Sequence, residues 1–202
     1  NMKKIWGYHA LFDCEKCPVE KFTEGNISKW TNDAKDLIRS KTMSDENLIF
    51  IGSSMGSWIA LNLLSKFKRK IIGFIGIASA PEFLEELMWK KFNTKTKKTI
   101  MENKIYYLKH GNFTYPLTKQ LILDGRKNKI LNKKIKLKIN IILFHGLKDE
   151  VVPLKMSKKI LKIFNRSKKK LIKIKNGDHS LSRKSDLKKI CKALNLIIPN
   201  RI

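Results

Sequence analysis

Three side chains in this sequence have the types that acyl transfer by a serine nucleophile requires. Ser54 is the middle residue of a Gly-x-Ser-x-Gly pattern, and Asp149 and His179 follow later in the chain. A serine hydroxyl is a weak nucleophile until a neighbouring base takes its proton. An imidazole serves as that base, and a carboxylate orients the imidazole and stabilises its cation. The three residues together predict a covalent mechanism in which Ser54 is acylated.

The residues around Ser54 predict a strand, a sharp turn and a helix. Residues 48–51 form a short apolar run that is typical of a buried strand. The segment after the turn has an apolar helical face, formed by Trp58, Ile59, Ala60, Leu63 and Leu64. We expect Gly52 and Gly56 to prevent collisions where the helix crosses the strand. The backbone amide of Met55, at the start of that helix, is the predicted oxyanion-hole donor.

Asp149 and His179 each follow a predicted strand, at residues 139–144 and 170–174. In open parallel sheets, functional side chains collect beyond the carboxyl ends of the strands. Two other carboxylates compete with Asp149 for its role. Glu150 is expected to face solvent or to cap the next helix, and the side chain of Asp178 is expected to diverge from its neighbour His179. His145 is expected to shape the loop that carries Asp149.

Strands and helices alternate along most of the chain, which predicts an α/β fold: a mostly parallel sheet with helices on both faces. The predicted strands are residues 48–51, 71–77, 139–144 and 170–174, and the predicted helices begin at Asn26 or Ser28, after Ser54, at Pro153 and at Ser182 or Ser185. We predict one domain over residues 1–202, with an atypical segment at 1–25.

Residues 81–137 are too long for a simple connection between two strands, and their pattern is largely helical. They predict a helical cap inserted over the sheet. Its apolar side chains have two possible roles: they line a substrate pocket, or they pack the cap against the rest of the domain. These side chains are Phe83, Leu84, Leu87, Met88, Trp89, Tyr106, Tyr107 and Phe113.

The chain is strongly basic, with 44 Lys and Arg against 17 Asp and Glu and a formal net charge of +27. Lysine is spread over the whole length and is enriched together with Ile and Asn, as an AT-rich genome would produce. The charge predicts non-specific, salt-sensitive binding to polyanions. No nucleic-acid motif is present, so specific nucleic-acid binding is not expected. The longest apolar run, residues 71–80, is shorter than the ~20 residues of a membrane span.

The three cysteines are Cys14, Cys17 and Cys191. An odd number without framework spacing favours a reducing compartment, and we expect a cytoplasmic protein. Cys14 and Cys17 have the spacing of half a zinc site or of a redox pair. No second Cys/His pair has matching spacing, so we predict no metal and no cofactor.

These motifs resemble those of the α/β hydrolases, in which Ser, Asp and His come in this chain order. Within them, the chain is similar to small serine esterases related to the mitochondrial palmitoyl-protein thioesterase and acyl-glucuronide esterase. The resemblance covers residues 21–202 and rests on residues 52–58, 145–153 and 177–179, with weaker similarity at 21–30 and 121–126. It implies hydrolysis of esters or thioesters without a cofactor, through an acyl-enzyme on Ser54.

The first residues depart from the family pattern. Members of the family have several strands before the point where this chain starts, and one of the loops there supplies a second oxyanion amide. Residues 10–20 also lack the family's glycine-rich pattern. We therefore expect an N-terminally truncated hydrolase, in which a missing oxyanion donor lowers kcat by about 10²- to 10³-fold. The alternatives are a degenerate hydrolase with little or no activity and, less favoured, a lysine-rich module that binds nucleic acid or membranes.

Overall fold

The computed structural model describes residues 22–43, 45–110 and 113–198. The atypical segment, with Cys14 and Cys17, lies almost wholly outside this range. Six α-helices are described: α1 Ile27–Lys41, α2 Met55–Leu63, α3 Thr94–Asn103, α4 Lys119–Lys127, α5 Lys155–Ile163 and α6 Lys184–Ile197. Six strands accompany them: β1 Leu48–Ser53, β2 Ile71–Ile77, β3 Ile105–His110, β4 Phe113–Thr118, β5 Asn140–Gly146 and β6 Lys168–Ile174.

Four of the strands form a parallel sheet in the order β1-β2-β5-β6. The register pairs Ile51 with Ile75 and Ile75 with Ile142. Because the strands are parallel, their carboxyl ends, and the loops that follow them, lie along one edge. The predicted α/β fold with a parallel sheet is confirmed.

Alternating side chains of the central strands build an apolar core on each face of the sheet. On one face, Ile75, Ile142 and Phe144 pack in a cluster that includes Ile190 and Ile197 of α6. On the opposite face, side chains of α1, α2 and α5 join a larger core cluster that includes Phe74, Ile141 and Leu143. Helices therefore cover both faces, as predicted.

The insertion differs from its prediction in residues 105–118. Within this range, β3 and β4 pair as antiparallel strands, in which Ile105 pairs with Thr118 and Leu108 with Tyr115. A largely helical insertion is therefore wrong for this part, although α3 and α4 flank the two strands. Strand formers such as Ile105, Tyr106 and Tyr107 favour extended backbone. These strand-forming residues lie between lysine-rich segments with a helical pattern, so the sequence analysis assigned the whole range to helices.

The insertion packs directly onto the helix that follows Ser54. The indole Nε1 of Trp58 donates to the Asn128 carbonyl at 2.9 Å, and its ring meets Phe83 edge-on at 6.0 Å. Most of the other apolar side chains singled out above also pack against the main core: Leu84, Leu87, Met88, Trp89 and Tyr106. Tyr107 is exposed, and the side chain of Phe113 lies outside the described set. For Phe83 and for the five side chains packed against the main core, these contacts favour a packing role over the lining of a pocket.

The two weaker family motifs meet in space. Asp124 of α4 accepts hydrogen bonds from the Ser28 backbone amide at 2.8 Å and the Ser28 hydroxyl at 2.6 Å. Ser28 lies in the first turn of α1, where amides lack intrahelical acceptors and negative charge is favourable. Asp124 therefore ties α4 of the insertion to the start of α1.

Candidate active site

The backbone at Ser54 adopts a strained conformation between β1 and α2. Its φ is 47° and its ψ is −119°, in a region that residues with a side chain rarely occupy. Two hydrogen bonds hold this turn: the Ser54 amide donates to the Ile77 carbonyl at 2.9 Å, and the Ala80 amide donates to the Ser54 carbonyl at 3.1 Å. The residues after β2 therefore fix the turn that presents the Ser54 hydroxyl.

Gly52 allows α2 to pass close to β1. A Cβ on Gly52 would lie 2.6 Å from the Ser57 Cα, which no side chain can accommodate without a backbone shift. The same reasoning is wrong for Gly56. Apart from its chain neighbours and the nearby backbone of its own helix, no atom of the described residues lies within 4 Å of the position that a Gly56 Cβ would take. The predicted collision therefore exists at Gly52 and not at Gly56.

Two buried hydroxyls support the same turn, and the sequence analysis predicted neither of them. The Ser57 hydroxyl donates to the Gly52 carbonyl, and the Ser79 hydroxyl donates to Ser57 Oγ at 2.8 Å. Both side chains are fully buried. A serine in an apolar run has no spacing that identifies its partner, so such contacts emerge only in the folded chain.

Ser54, His179 and Asp149 form a continuous hydrogen-bonded line. The Nε2 atom of His179 lies 3.0 Å from Ser54 Oγ, and its Nδ1 lies 2.9 Å from Asp149 Oδ2. Since a carboxylate only accepts hydrogen bonds, Nδ1 carries the proton and Nε2 is free to accept from the serine hydroxyl. The line therefore has the polarity that removal of a proton from Ser54 requires.

Asp149 is buried and oriented by its own loop. Its side chain has no exposed surface, and its Oδ1 accepts from the amides of Val151 at 2.9 Å and Val152 at 2.8 Å. The second oxygen, Oδ2, points to His179. The two competing carboxylates point elsewhere: Glu150 is exposed, and Asp178 accepts from the Leu181 amide at 2.9 Å.

The loops that carry Asp149 and His179 are joined through their backbones. The Leu147 amide donates to the Ile174 carbonyl at 2.9 Å, and the Lys148 amide donates to the Gly177 carbonyl at 2.8 Å. Gly146 makes this approach possible, since a Cβ there would lie 2.4 Å from the Gly177 carbonyl oxygen. The relative position of the two loops is thus set by main-chain contacts.

His145 also belongs to this region, as a buried side chain with two partners. Its Nδ1 lies 2.9 Å from the Ser157 hydroxyl and its Nε2 lies 3.0 Å from the Val152 carbonyl oxygen. Burial lowers the pKa of His145 from its ordinary value of 6.5, against the opposing pull of Asp149. The ring is therefore neutral near pH 7.

Comparison with known proteins identifies the superfamily. No family model matches the chain. The chain is 28% identical over 169 residues to a mouse protein named palmitoyl-protein thioesterase ABHD10, mitochondrial. This match covers 81% of the chain and 55% of the relative. A putative hydrolase from Agrobacterium vitis S4 superposes with a TM-score of 0.82 at 27% identity, over 88% of this chain and 70% of that one. The chain belongs to the α/β-hydrolase superfamily.

The solved structure of mouse alpha/beta hydrolase domain-containing protein 10 has the same fold as this α/β hydrolase. It superposes with a TM-score of 0.75 at 24% identity, over 86% of this chain and 70% of that chain. This α/β hydrolase spans about half the length of the curated relatives it matches, with 54% coverage of the human one. Those relatives are named as mitochondrial, so the predicted cytoplasmic location is wrong. Cysteine count failed here because it reports redox state rather than compartment.

In this α/β hydrolase the amide of Met55 is the first of α2, where the helix provides no acceptor for it. Residues 10–20, which lack the family's glycine-rich pattern, lie outside the described range. Within that range, no group of three or more His, Cys, Asp or Glu side chains is arranged to hold a metal ion. None of the described helices is long and apolar enough to cross a membrane.

Proposed function

We propose that this protein is a serine hydrolase that cleaves carboxylic ester or thioester bonds through an acyl-enzyme on Ser54. The observation that carries the proposal is the line from Ser54 Oγ through His179 to the buried Asp149. The strained turn at Ser54 and its place before a helix are what a nucleophile elbow needs.

In the first half of the proposed reaction, Ser54 Oγ attacks the acyl carbon while His179 Nε2 takes the hydroxyl proton. The carbonyl oxygen becomes an oxyanion, to which the Met55 amide and the positive end of α2 offer stabilisation. When the tetrahedral intermediate collapses, His179 gives its proton to the departing alcohol or thiol. The acyl group stays on Ser54 as an ester.

In the second half, water attacks the acyl-enzyme and His179 takes a proton from that water. Collapse releases the carboxylic acid and returns the proton to Ser54 Oγ. Asp149 stays ionised throughout, accepts from His179 Nδ1–H and stabilises the imidazolium. No cofactor is required in either half.

The proposed substrate class follows from the relatives, which are named palmitoyl-protein thioesterases. A fatty acyl thioester or ester is therefore the substrate to test first. We further propose that residues 1–202 form one domain in which residues 81–137 are the insertion that borders the substrate, since α4 and its flanks pack against Trp58 of α2.

The test is turnover of p-nitrophenyl esters and of a palmitoyl thioester by the wild-type chain and by Ser54→Ala. Ser53→Ala is the matched control, because Ser53 is the adjacent exposed hydroxyl. We expect turnover by the wild type and by Ser53→Ala and only background rates with Ser54→Ala. A folded wild-type protein without turnover would support the degenerate hydrolase instead. Turnover that survives Ser54→Ala would contradict the proposal.

A further inference from the structure

His145 makes a connection between helix α5 and the loop that orients Asp149. It is the penultimate residue of β5, and 1% of it is exposed. One ring nitrogen contacts Ser157 in α5, and the other contacts the carbonyl of Val152 in the loop. The imidazole therefore bridges helix α5 and the loop that carries Asp149.

The partners of His145 fix its tautomer. A carbonyl oxygen only accepts, so Nε2 carries the proton and donates it to Val152. Since the ring is neutral, Nδ1 is left as an acceptor, and the Ser157 hydroxyl donates to it. Ser157 is fully buried, and its hydroxyl contacts this ring nitrogen.

The peptide group of Val152 links His145 to the proposed triad. Its carbonyl accepts from His145, and its amide donates to Asp149 Oδ1 at 2.8 Å. Because Oδ1 is held by Val152 and Val151, the other oxygen of the same planar carboxylate faces His179 Nδ1. Movement of the Val152 segment would rotate the carboxylate away from the imidazole.

Charge favours the same arrangement. His145 Nε2 lies only 3.9 Å from Asp149 Oδ2, so a protonated His145 would compete with His179 for the carboxylate. A neutral ring leaves the negative charge of Asp149 to the imidazolium that forms on His179.

We propose that His145 is a positioning residue, which aims the carboxylate of Asp149 at His179 by holding the carbonyl of Val152. This inference rests on the proposed function, because it assigns His145 a role in activating Ser54. A buried side chain that only packs the core would contribute to stability and leave the His179–Asp149 contact unchanged.

Two substitutions separate the two bonds of the ring. His145→Gln places an amide N–H near the position of Nε2, so it can still donate to Val152. His145→Asn is shorter and reaches only the position of Nδ1, where its oxygen can accept from Ser157. Both substitutions replace the buried ring by a smaller amide, so both lower stability by leaving a cavity. A difference between the two variants therefore reports the hydrogen bond to Val152 rather than the loss of packing.

The readouts are the rate of Ser54 labelling by a fluorophosphonate probe, the melting temperature and the low-field proton signal of His179 Nδ1–H. We expect His145→Asn to lower the labelling rate by roughly 10- to 100-fold, since small misplacements at a reacting group have effects of this size. The His179 signal should shift upfield and broaden. His145→Gln should restore most of the rate and the signal.

A folded His145→Asn variant with wild-type labelling and an unchanged His179 signal would overturn the inference, as would equal losses in both variants without a change in that signal. If His145→Asn does not fold, Ser157→Ala frees the ring from α5 and should cause a partial loss of both readouts. If the wild type is not labelled, the proposed function fails, and the His179 signal still decides whether His145 positions Asp149.

Discussion

Asp149 is the residue whose proposed role has the sharpest competition, since three carboxylates lie within the two loops. Only Asp149 reaches His179, at 2.9 Å, while Asp178 accepts from a loop amide and Glu150 is exposed. Spacing within the sequence suggested this choice but could not test it. The direction of a side chain at a loop position depends on backbone turns that no periodicity encodes.

We predict that Asp149→Asn lowers probe labelling of Ser54 by about 10⁴-fold, because an amide N–H facing Nδ1 favours the wrong imidazole tautomer. Glu150→Gln and Asp178→Asn are the controls and should label like the wild type, since an Asn at 178 can still accept from Leu181. A comparable loss in Asp178→Asn with retention in Asp149→Asn would reverse the assignment.

The buried His145 predicts a loss of stability in mild acid. Its pKa is lowered in the folded state by burial, with Asp149 and the Val152 carbonyl opposing and His179 adding to the shift. Below the ordinary His145 pKa of 6.5, the unfolded chain binds a proton at this residue that the folded chain does not bind. The free energy of unfolding therefore decreases as the pH is lowered from 6.5 to the pKa of His145 in the folded state.

The measurement is the melting temperature between pH 7.5 and about 5, a window that lies above the ordinary values of 4.5 for Glu86 and 3.8 for Asp186. Those two carboxylates also have lowered pKa values, and their contribution is lost only in stronger acid. His145→Gln should flatten the dependence over this window. An equally steep dependence in the variant would show that another group is responsible.

At the scale of elements, the strand–turn–helix unit around Ser54 was predictable because each part has a local signature. The apolar run of β1, the glycine at 52 and the apolar face of α2 all lie within about 17 residues of sequence. The ends of elements were less accurate. Predicted strands at 48–51 and 139–144 became Leu48–Ser53 and Asn140–Gly146, because pairing with neighbouring strands decides where a strand stops.

The glycines of this unit give a matched pair of substitutions. Gly52→Ala should lower the free energy of unfolding by about 1–3 kcal/mol, as forced overpacking does, because its Cβ would lie 2.6 Å from Ser57 Cα. It should also reduce labelling by moving Ser54. Gly56→Ala should be neutral or slightly stabilising, since alanine favours a helix. Urea unfolding measures both, and equal destabilisation by the two variants would contradict the geometry.

The sequence pattern did not predict the antiparallel pair of β3 and β4 or the strand order β1-β2-β5-β6. Alternation of strands and helices fixes a parallel sheet but leaves the order of its strands open. The contact between Ser28 and Asp124 spans 96 positions. In the sequence, both residues lie in short segments that resemble the family, but nothing there indicated that the two segments touch. Long-range contacts of this kind depend on packing between elements, which local propensity does not contain.

At the scale of the whole molecule, charge is the dominant property. With a net charge of +27, the protein should bind polyanions through long-range attraction. Many of the lysines lie on the surface, including Lys168, Lys169 and Lys170 along β6, whose outer edge no described strand covers.

We predict retention on heparin at low salt and release as salt is raised, since screening shortens the range of charge interactions to ~10 Å near 0.1 M. Binding to double-stranded DNA should follow the same salt dependence for unrelated sequences. Retention that salt does not weaken, or a preference for one DNA sequence, would contradict non-specific attraction and favour a dedicated binding function.

The central claim is that Ser54 is a nucleophile activated by His179 and Asp149. The most direct measurement is labelling of the folded wild-type protein by a fluorophosphonate, followed by mass spectrometry of the labelled peptide. We predict one adduct, on Ser54, that disappears in Ser54→Ala and persists in Ser53→Ala. A folded wild-type protein that takes up no label, or an adduct on another serine, would contradict the claim.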